Sequence, residues 1–241
     1  MTASSSQKPL IELRDLRFSW QENSSAVIQL ESLSFKQAEH VFFRGASGSG
    51  KSTLLNLIGG VLTPQAGSVA ILGKDICNLS SGERDRFRAD HIGVIFQQFN
   101  LIPYLSILEN VVLPCRFSQL RTARSIKRSG SVAAEANYLL SHLYASNGPD
   151  LNQKVTDLSV GQQQRVAAAR ALMGRPELII ADEPTSSLDF DSRQAFMNLL
   201  FDEVNGNHST LLFVSHDPTH QAMFTRRLDI EAINHRVQET S

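Results

Sequence analysis

The sequence predicts an α/β fold with a mainly parallel sheet, an N-terminal antiparallel β part and an inserted helical subdomain. Apolar and polar residues alternate over 11–20 and 27–35, as in antiparallel strands with one solvent-exposed face. Four later apolar runs are typical of short strands buried in a parallel sheet, and each ends in polar residues. Residues 99–157 contain no such run and instead hold helix-like stretches, which indicates the insertion.

The chain has 241 residues, which is enough for a large core, and we expect a single domain. Its core is predicted over 10–97 and 158–230, with the helical subdomain at about 98–157. The formal net charge is −1, with 20% charged and 41% hydrophobic residues. This balance gives no global attraction to nucleic acid or anionic lipid, so we expect no nucleic-acid partner.

Cysteine usage and hydropathy bear on the compartment. Cys77 and Cys115 lie far apart without a metal-ligand spacing, which favours a reducing compartment and packing roles over a disulfide framework. The first residues, MTASSSQKP, lack the apolar centre of a secretory signal, and no stretch approaches the length that crosses a bilayer. The sequence therefore predicts a cytoplasmic chain that reaches a membrane only through another polypeptide.

In chain order, the two antiparallel strands flank the turn-like segment QENSS. The run VFFRG, residues 41–45, predicts a short buried strand, followed by a glycine–serine loop and the helix-compatible STLLNLIGG. The remaining predicted strands are 92–96, 178–181 and 210–214. Parallel strands present their carboxyl ends at one edge of a sheet, so we expect ligand chemistry to collect along that edge.

The predicted helical subdomain includes the helix VAAEANYLLSHLY. Its predicted breaks are at Pro103, Pro114, Gly130 and Gly148-Pro149. A basic cluster is interpreted as a solvated helix face or loop without a ligand: Arg116, Arg121, Arg124, Lys127 and Arg128. The polar tail after Asp229 is expected to be a frayed end or a small cap.

Residues 45–52 read GASGSGKS and fit the phosphate-loop pattern G-x-x-x-x-G-K-[ST] between a predicted strand and helix, which indicates a P-loop NTPase core. The glycines let backbone N–H groups surround phosphate oxygens, and Lys51 bridges the β- and γ-phosphates. Ser52 supplies a hydroxyl ligand for Mg²⁺, and Thr53 a hydrogen bond to the α-phosphate. The predicted nucleotide-binding residues here are Gly45, Ala46, Ser47, Gly48, Ser49, Gly50, Lys51, Ser52 and Thr53.

Two adjacent carboxylates end the run LIIADE. Asp182 is predicted to be the metal-side acid and Glu183 the general base that accepts a hydrogen bond from the attacking water. Alternation along the strand is expected to point the two side chains in different directions. His216 follows the run LLFVS and is expected at the same sheet edge, where it senses the γ-phosphate.

Two further predicted site residues each have an alternative assignment nearby in the sequence. Gln97 directly follows the run ending in Phe96 and is predicted to ligate Mg²⁺ or position water, with Gln98 as the alternative. Trp20 offers a flat face for stacking on adenine, and Phe18 competes for that role. As the only tryptophan in the chain, Trp20 is alternatively a core or edge residue.

The segment LSVGQ contains Ser159 and Gln162 at the spacing of a capping box, which predicts a helix from Val160 to near Gly174 and Pro176. A helix start presents N–H donors and a serine hydroxyl, which suit a phosphate.

The whole series, from Trp20 through GASGSGKS, Gln97, LSVGQ, LIIADE and SSLD to His216, resembles the ATP-binding cassette (ABC) family and covers nearly the entire chain. The resemblance implies ATP and Mg²⁺ as cofactors and a homodimer of cassettes stacked head to tail. Each ATP would lie between one phosphate loop and the opposite signature segment. Ser159, Gly161 and Gln162 would then bind the partner's nucleotide, and Asp189 would lie at the dimer seam.

The stretches GVIFQQFNLIPYLSILENVVLP and SVGQQQRVAAARALMGRPELIIADEPTSSLD look like the ABC subfamily of lipoprotein release and macrolide efflux. That likeness implies an ATPase subunit held at the cytoplasmic face of the membrane by an integral permease, whose coupling helix sits in a groove near Gln97. Two alternatives are a soluble cassette acting on ribosomes or DNA and a low-turnover regulatory module. The single phosphate loop without sustained heptads counts against the first, and intact Glu183 and His216 count against the second.

One letter departs from the family pattern, because Val160 stands where the signature segment usually has a glycine. As the first helical residue, Val160 keeps its backbone N–H for phosphate binding and needs no positive φ. The expected consequence is steric, since two methyl groups face the approaching nucleotide or partner loop. We therefore expect an active protein.

Overall fold

The computed structural model describes residues 8–21, 24–144 and 150–234. Parts of four predicted features lie outside these ranges: most of the polar N-terminus, two residues of the QENSS turn, the Gly148-Pro149 break and the tail beyond Asn234.

Within the described residues the central sheet has five strands, and every neighbouring pair is parallel, in the order β6-β7-β8-β3-β9. Its strands are β3 His40–Arg44, β6 Ile92–Ile95, β7 Leu178–Asp182, β8 Thr210–Val214 and β9 Arg226–Asp229. Alternation along β3 sends Phe42 to one hydrophobic core and Phe43 to the other. Both faces of the sheet are therefore buried, as the continuous apolar runs predict.

An antiparallel sheet in the order β2-β1-β4-β5 packs over one face of the central sheet. Its strands are β1 Ile11–Phe18, β2 Ile28–Phe35, β4 Ala66–Ile71 and β5 Lys74–Asp75. Leu13 lies at its centre, opposite Leu33 on one side and Val69 on the other. The predicted antiparallel pair β1–β2 is confirmed, although β1 ends before Trp20. Strands β4, β5 and β9 were not predicted.

Helices pack on both faces of the central sheet. Their bounds are α1 Lys51–Ile58, α2 Ser81–His91, α3 Ile107–Phe117, α4 Gln119–Ser129, α5 Val132–Tyr144, α6 Val160–Leu172, α7 Phe190–Asn207 and α8 Ile230–Ile233. Residues of α3, α5, α6 and α7 form the core on one face, and α1 packs with the antiparallel sheet on the other. Helices α3, α4 and α5 occupy the predicted insertion, and α3 and α5 pack on α6. Within the described ranges, no helix is both long and apolar enough to cross a membrane.

The break predicted at Pro114 is wrong, because this residue lies inside α3. Proline removes one backbone donor from a helix but does not end it when tertiary packing is strong. Here Ile107 and Val111 are fully buried on the core-facing side of α3.

The interpretation of the basic cluster as a solvated face is wrong for Arg121, which is 2% exposed. Its guanidinium donates to the carbonyl oxygens of Ile92 at 2.5 Å, Met173 at 3.1 Å and Ala171 at 3.4 Å. These carbonyls belong to the first residue of the edge strand β6 and to the end of α6. Arg121 therefore fastens α4 of the insertion to the core.

Two other members of the cluster are also paired. Arg124 contacts Glu177 at 2.5 Å, and Arg128 contacts the fully buried Glu135 at 3.0 Å. The two exposed members are Arg116 and Lys127. Most of the cluster thus stabilises the packing of α4, because this helix lies against carbonyl and carboxylate groups that need donors.

Candidate active site

A cavity of about 640 Å³ opens at the carboxyl edge of the central sheet. The loops after β3, β6, β7 and β8 meet there with the segment that follows β1. The lining residues are Trp20, Ser25, Ala26, Val27, Ser47, Gly48, Gly50, Lys51, Ser52, Thr53, Gln97, Glu183 and His216. Residues far apart in the sequence converge here because parallel strands place their loops at one edge.

The phosphate loop forms the base of this cavity. Gly48 and Gly50 have φ of 75° and 101°, a left-handed conformation that favours glycine. Gly50 precedes α1 without a side-chain cap, and the first turn contains no acidic residue. Lys51, Ser52 and Thr53 of that turn line the cavity. An uncapped helix start with a lysine beside it suits a phosphate group.

Lys51 is 7% exposed, and its Nζ donates to the carbonyl oxygens of Gly45 at 2.9 Å and Ala46 at 2.8 Å. The ammonium group is thus held against the loop, on the wall of the cavity. Because these bonds are made to neutral carbonyls, they do not neutralise the positive charge of Lys51. The charge remains available to an anion that enters the cavity.

Three predicted members of the loop, Gly45, Ala46 and Ser49, are not among the described residues that line the cavity. The backbone N–H of Ala46 instead donates to Glu231 Oε1 of α8 at 3.0 Å. Ser49 is buried, and its hydroxyl has no hydrogen-bond partner within the described ranges. Glu231 was not predicted as part of the site, because nothing in the polar tail signals a contact with a loop 185 residues away.

Glu183 is the first residue beyond β7, whose last residue is Asp182. It adopts a φ of 47°, and its N–H donates to the carbonyl of Val214 at 3.0 Å. This left-handed turn, rather than strand alternation, separates the two acidic side chains. Glu183 reaches the cavity, where its Oε1 lies 2.6 Å from Nε2 of His216, while Asp182 is outside the described lining.

Gln97 and Trp20, for which the sequence leaves alternatives, both line the cavity. Gln97 is exposed and lines it, whereas Gln98 is outside the described lining. Trp20 is 63% exposed, and its ring meets the buried ring of Phe18 edge-on at 5.2 Å. The geometry therefore favours Gln97 and Trp20, since Phe18 supports the indole from the core side.

The capping box predicted in LSVGQ is present. Ser159 Oγ accepts from the backbone N–H of Gln162 at 3.3 Å, and Gln162 Oε1 accepts from the N–H of Ser159 at 2.9 Å. Helix α6 begins at Val160 as predicted but ends at Leu172. In the described structure, none of these residues lines the chain's own cavity.

The predicted seam residue Asp189 is the N-cap of α7 and accepts from the backbone N–H of Ser192 at 2.9 Å. This hydrogen bond holds the pKa of Asp189 below its ordinary value. The preceding residue, Leu188, lies beside the start of α6, since a Cβ placed on Gly161 would be 3.5 Å from its Cδ2. The segments LSVGQ and SSLD are thus neighbours.

The cavity suits a magnesium-bound nucleoside triphosphate. Its loop and lysine match phosphates, and the exposed indole matches a base. Ser52 and Gln97 of the lining carry oxygen atoms of the kind that Mg²⁺ prefers, whereas the predicted ligand Asp182 ends β7 outside the described lining. Within the described ranges, no three His, Cys, Asp or Glu side chains cluster as a metal cage.

Comparison with known sequences agrees with this geometry. The profile of the ABC transporter family matches residues 29–186. The chain is 39% identical over 225 residues to a lipoprotein-releasing system ATP-binding protein, LolD 2, of Rhodospirillum rubrum, covering 92% of this chain and 94% of that protein. It is also 39% identical over 227 residues to the macrolide export ATP-binding/permease protein MacB of Marinobacter nauticus, covering 93% of this chain. The chain spans only about a third of the length of the MacB relatives, 34% in this case.

Solved structures show the same fold. The dimeric post-hydrolysis state of the ATP-binding cassette MJ0796, bound to ADP and Pi, superposes with a TM-score of 0.78 at 36% identity, covering 91% of this chain and 93% of that one. A second dimeric structure of MJ0796, described as a bacterial ABC transporter cassette, gives a TM-score of 0.77 at 35% identity, covering 92% and 95%. The chain belongs to the ABC transporter family and is one of its ATPase cassettes.

Proposed function

We propose that this chain is the ATP-binding and ATP-hydrolysing subunit of an ABC transporter, that it dimerises around two ATP molecules, and that it drives a separate membrane-spanning partner. The observation that carries the hydrolytic part is the Glu183–His216 contact on the wall of the cavity that the phosphate loop forms. Passive nucleotide binding needs no such carboxylate, whereas activating a water molecule does.

Each side chain then has a defined task. The phosphate loop and Lys51 bind the phosphates, and Trp20 stacks on the base. Ser52, Asp182 and Gln97 hold Mg²⁺, which neutralises phosphate charge when bound. Glu183 accepts a proton from water that is aimed at the γ-phosphate. His216 orients Glu183 through the 2.6 Å contact between its Nε2 and Glu183 Oε1.

The homodimer is supported by residues that fit a phosphate but lie off the chain's own cavity. Helix α6 presents its first N–H groups and the Ser159 hydroxyl, with Val160 exposed beside them. The neighbouring segment ends at Asp189. A second copy that placed its own phosphate loop against this surface would use Ser159, Gly161 and Gln162, with Asp189 at the seam. The two MJ0796 structures are likewise described as dimeric.

A membrane partner is supported by a second cavity of about 660 Å³ between the core and the insertion. Its walls include Val61, Phe96, Leu113 and Phe117, and Phe117 is 71% exposed. Exposed apolar grooves mark interaction sites. We assign this groove to a cytoplasmic helix of an integral permease, which would hold the chain peripherally at the cytoplasmic face of the membrane. Phe96 precedes Gln97, so the groove adjoins the nucleotide cavity.

The test has two arms. Purified protein should hydrolyse ATP with Mg²⁺, Lys51→Ala should abolish this activity, and Lys74→Ala, at an exposed lysine, should not. Affinity purification from detergent-solubilised membranes of the native host should recover an integral membrane protein, and Phe117→Arg should release it without changing hydrolysis. Absence of Mg²⁺-dependent hydrolysis in the wild type contradicts the enzymatic half. Recovery of ribosomes alone contradicts the transport half.

A further inference from the structure

Arg170 of α6 forms two hydrogen bonds with the loop that carries Gln97. Arg170 Nη1 donates to the carbonyl oxygen of Asn100 and Nη2 to that of Phe99, each at 2.6 Å. The residues lie 70 and 71 positions apart in the sequence. A guanidinium holds two adjacent acceptors with two N–H groups fixed in one plane, a geometry that the single nitrogen of an ammonium group does not provide.

The two residues whose carbonyls accept from Arg170 both have unfavourable backbone angles. Phe99 and Asn100 have φ of 56° and 49°, in the left-handed region that is uncommon for residues other than glycine. Asparagine tolerates this region, but phenylalanine has no side-chain group that compensates for it. Such a conformation persists only when its surroundings hold it. The two carbonyl bonds from Arg170 supply that restraint.

The loop turns immediately before this point. Phe99 N–H donates to the carbonyl of Phe96 at 3.1 Å, and Asn100 N–H donates to that of Gln98 at 2.5 Å. Gln97 lies inside this turn, and its position on the cavity wall depends on how the loop leaves the sheet after β6. Fixing Phe99 and Asn100 therefore fixes the direction of Gln97.

The environment of Arg170 favours a fixed position. Burial lowers the pKa of its guanidinium from the ordinary value, yet an arginine remains charged in proteins. Among the described residues, no carboxylate forms a salt bridge with it, so the loop carbonyls are its hydrogen-bond acceptors in the structure. The two hydrogen bonds from this half-buried cation stabilise the observed loop conformation.

We propose that Arg170 is a positioning residue for ATP hydrolysis, which holds Gln97 toward the nucleotide cavity through the backbone of Phe99 and Asn100; this inference rests on the proposed ATPase function. The same guanidinium joins this loop to α6, a continuous helix whose other end is the LSVGQ segment. The residue that positions Gln97 in one nucleotide site thus lies on the helix that meets the other nucleotide.

A double-mutant cycle on the full chain tests the proposal. The variants are Arg170→Gln, Gln97→Ala and the combination of the two, assayed for Mg²⁺-ATP turnover and for ATP binding by a fluorescent analogue. The control is Arg226→Gln, which removes another arginine that donates to a backbone carbonyl of a different element, Ser34 at 2.8 Å, and touches no residue of this loop.

If Arg170 acts through Gln97, Arg170→Gln lowers kcat about tenfold with KM for ATP within about twofold, because the loss is confined to the reacting state. The double variant is then within about twofold of Gln97→Ala alone, since coupled residues are not additive. Arg170→Lys, which keeps the charge without the fork, has an intermediate kcat. If Arg170→Gln does not fold, Arg170→Lys takes its place in the cycle.

Three results overturn the proposal while the wild type remains an active ATPase: unchanged turnover of the Arg170 variants, losses that multiply in the double variant, or an equal loss in Arg226→Gln. A wild type without turnover instead contradicts the proposed function itself. The two failures are therefore distinguishable.

Discussion

His216 Nε2 lies 2.6 Å from Glu183 Oε1, and this contact joins the loops that follow two adjacent parallel strands, β7 and β8. The strands are in register up to Asp182 and Val214, so the two side chains emerge from the same edge one and two residues later. The backbone bond from Glu183 N–H to the Val214 carbonyl fixes this arrangement. The contact and this backbone bond together orient the Glu183 carboxylate on the wall of the cavity.

The first prediction concerns that carboxylate. Glu183→Gln keeps the size of the side chain but removes its basicity, so ATP hydrolysis should fall by about 10²- to 10⁴-fold while ATP binding persists. Because hydrolysis no longer reopens the dimer, the variant should elute as a dimer with ATP and as a monomer with ADP. Size-exclusion chromatography with light scattering measures this. Glu31→Gln, at an exposed residue of β2, is the matched control. Normal hydrolysis by Glu183→Gln would exclude it as the base.

The second prediction concerns Arg121. Arg121→Met keeps an apolar stem but leaves the carbonyl oxygens of Ile92, Ala171 and Met173 without this donor, so the free energy of unfolding should fall by about 3 kcal/mol. Urea unfolding followed by circular dichroism gives the value. Arg116→Met, at an exposed residue of the preceding helix, should change it by less than about 0.5 kcal/mol. Equal losses of unfolding free energy in the two variants would show that the hydrogen bonds of Arg121 do not stabilise the fold.

The difference between Arg121 and Arg116 illustrates what the sequence can and cannot predict. Both are arginines in one polar stretch, and no local pattern separates them. Their environments differ because α4 packs on the end of α6, a contact between segments 50 residues apart. Partners of this kind depend on tertiary packing, and the same holds for Arg170 with its loop and Glu231 with Ala46.

The sequence predicts well where burial is uniform or a motif fixes the backbone. Strands β3, β7 and β8 have apolar centres and are buried along nearly their whole length, and the apolar runs predict their ends to within a residue or two. In contrast, β9 has the sequence RRLD and alternates between half-buried and exposed residues, so it resembles a loop. Strand β4 begins with Ala-Gly-Ser, which suggests a turn. Both strands exist because a neighbouring strand offers hydrogen bonds, which hydropathy does not reveal.

The third prediction concerns pH. Burial acts to raise the pKa of the Glu177 carboxyl, but hydrogen bonds from His91 and Arg124 and the charge of Arg124 outweigh it and lower the pKa to about 2. A depressed pKa in the folded state stabilises the fold above the unfolded-state value, and this stabilisation disappears as pH falls through the folded-state value. The relevant window therefore runs from about pH 4.5 down to about pH 2.

Glu177→Gln should accordingly be less stable than the wild type at pH 7 by about 2 kcal/mol, a figure reduced for partial solvent screening. The difference should be nearly constant from about pH 7 to 5 and more than half lost by about pH 3. Urea unfolding across this range, with Glu31→Gln as the control at an exposed site, measures the change. A difference independent of pH would show that ionisation of Glu177 does not stabilise the fold.

The last prediction returns to the unusual signature residue. Val160 is the first residue of α6, 48% exposed, and is not among the described residues with positive φ, so its backbone does not require glycine. The backbone N–H of Val160 is present whichever side chain this residue carries. Gly161 is the one glycine within the segment LSVGQ. Val160→Gly should therefore change turnover by less than about threefold. Gly161→Val should lower it more, because a branched side chain would stand where the proposed partner's nucleotide approaches; within this chain its Cβ meets Leu188 Cδ2 only at an ordinary contact distance of 3.5 Å. Steady-state hydrolysis of both variants gives the comparison.

A gain of several orders of magnitude in Val160→Gly would mean that the valine methyl groups hold the dimer open and that the natural chain is a weak ATPase.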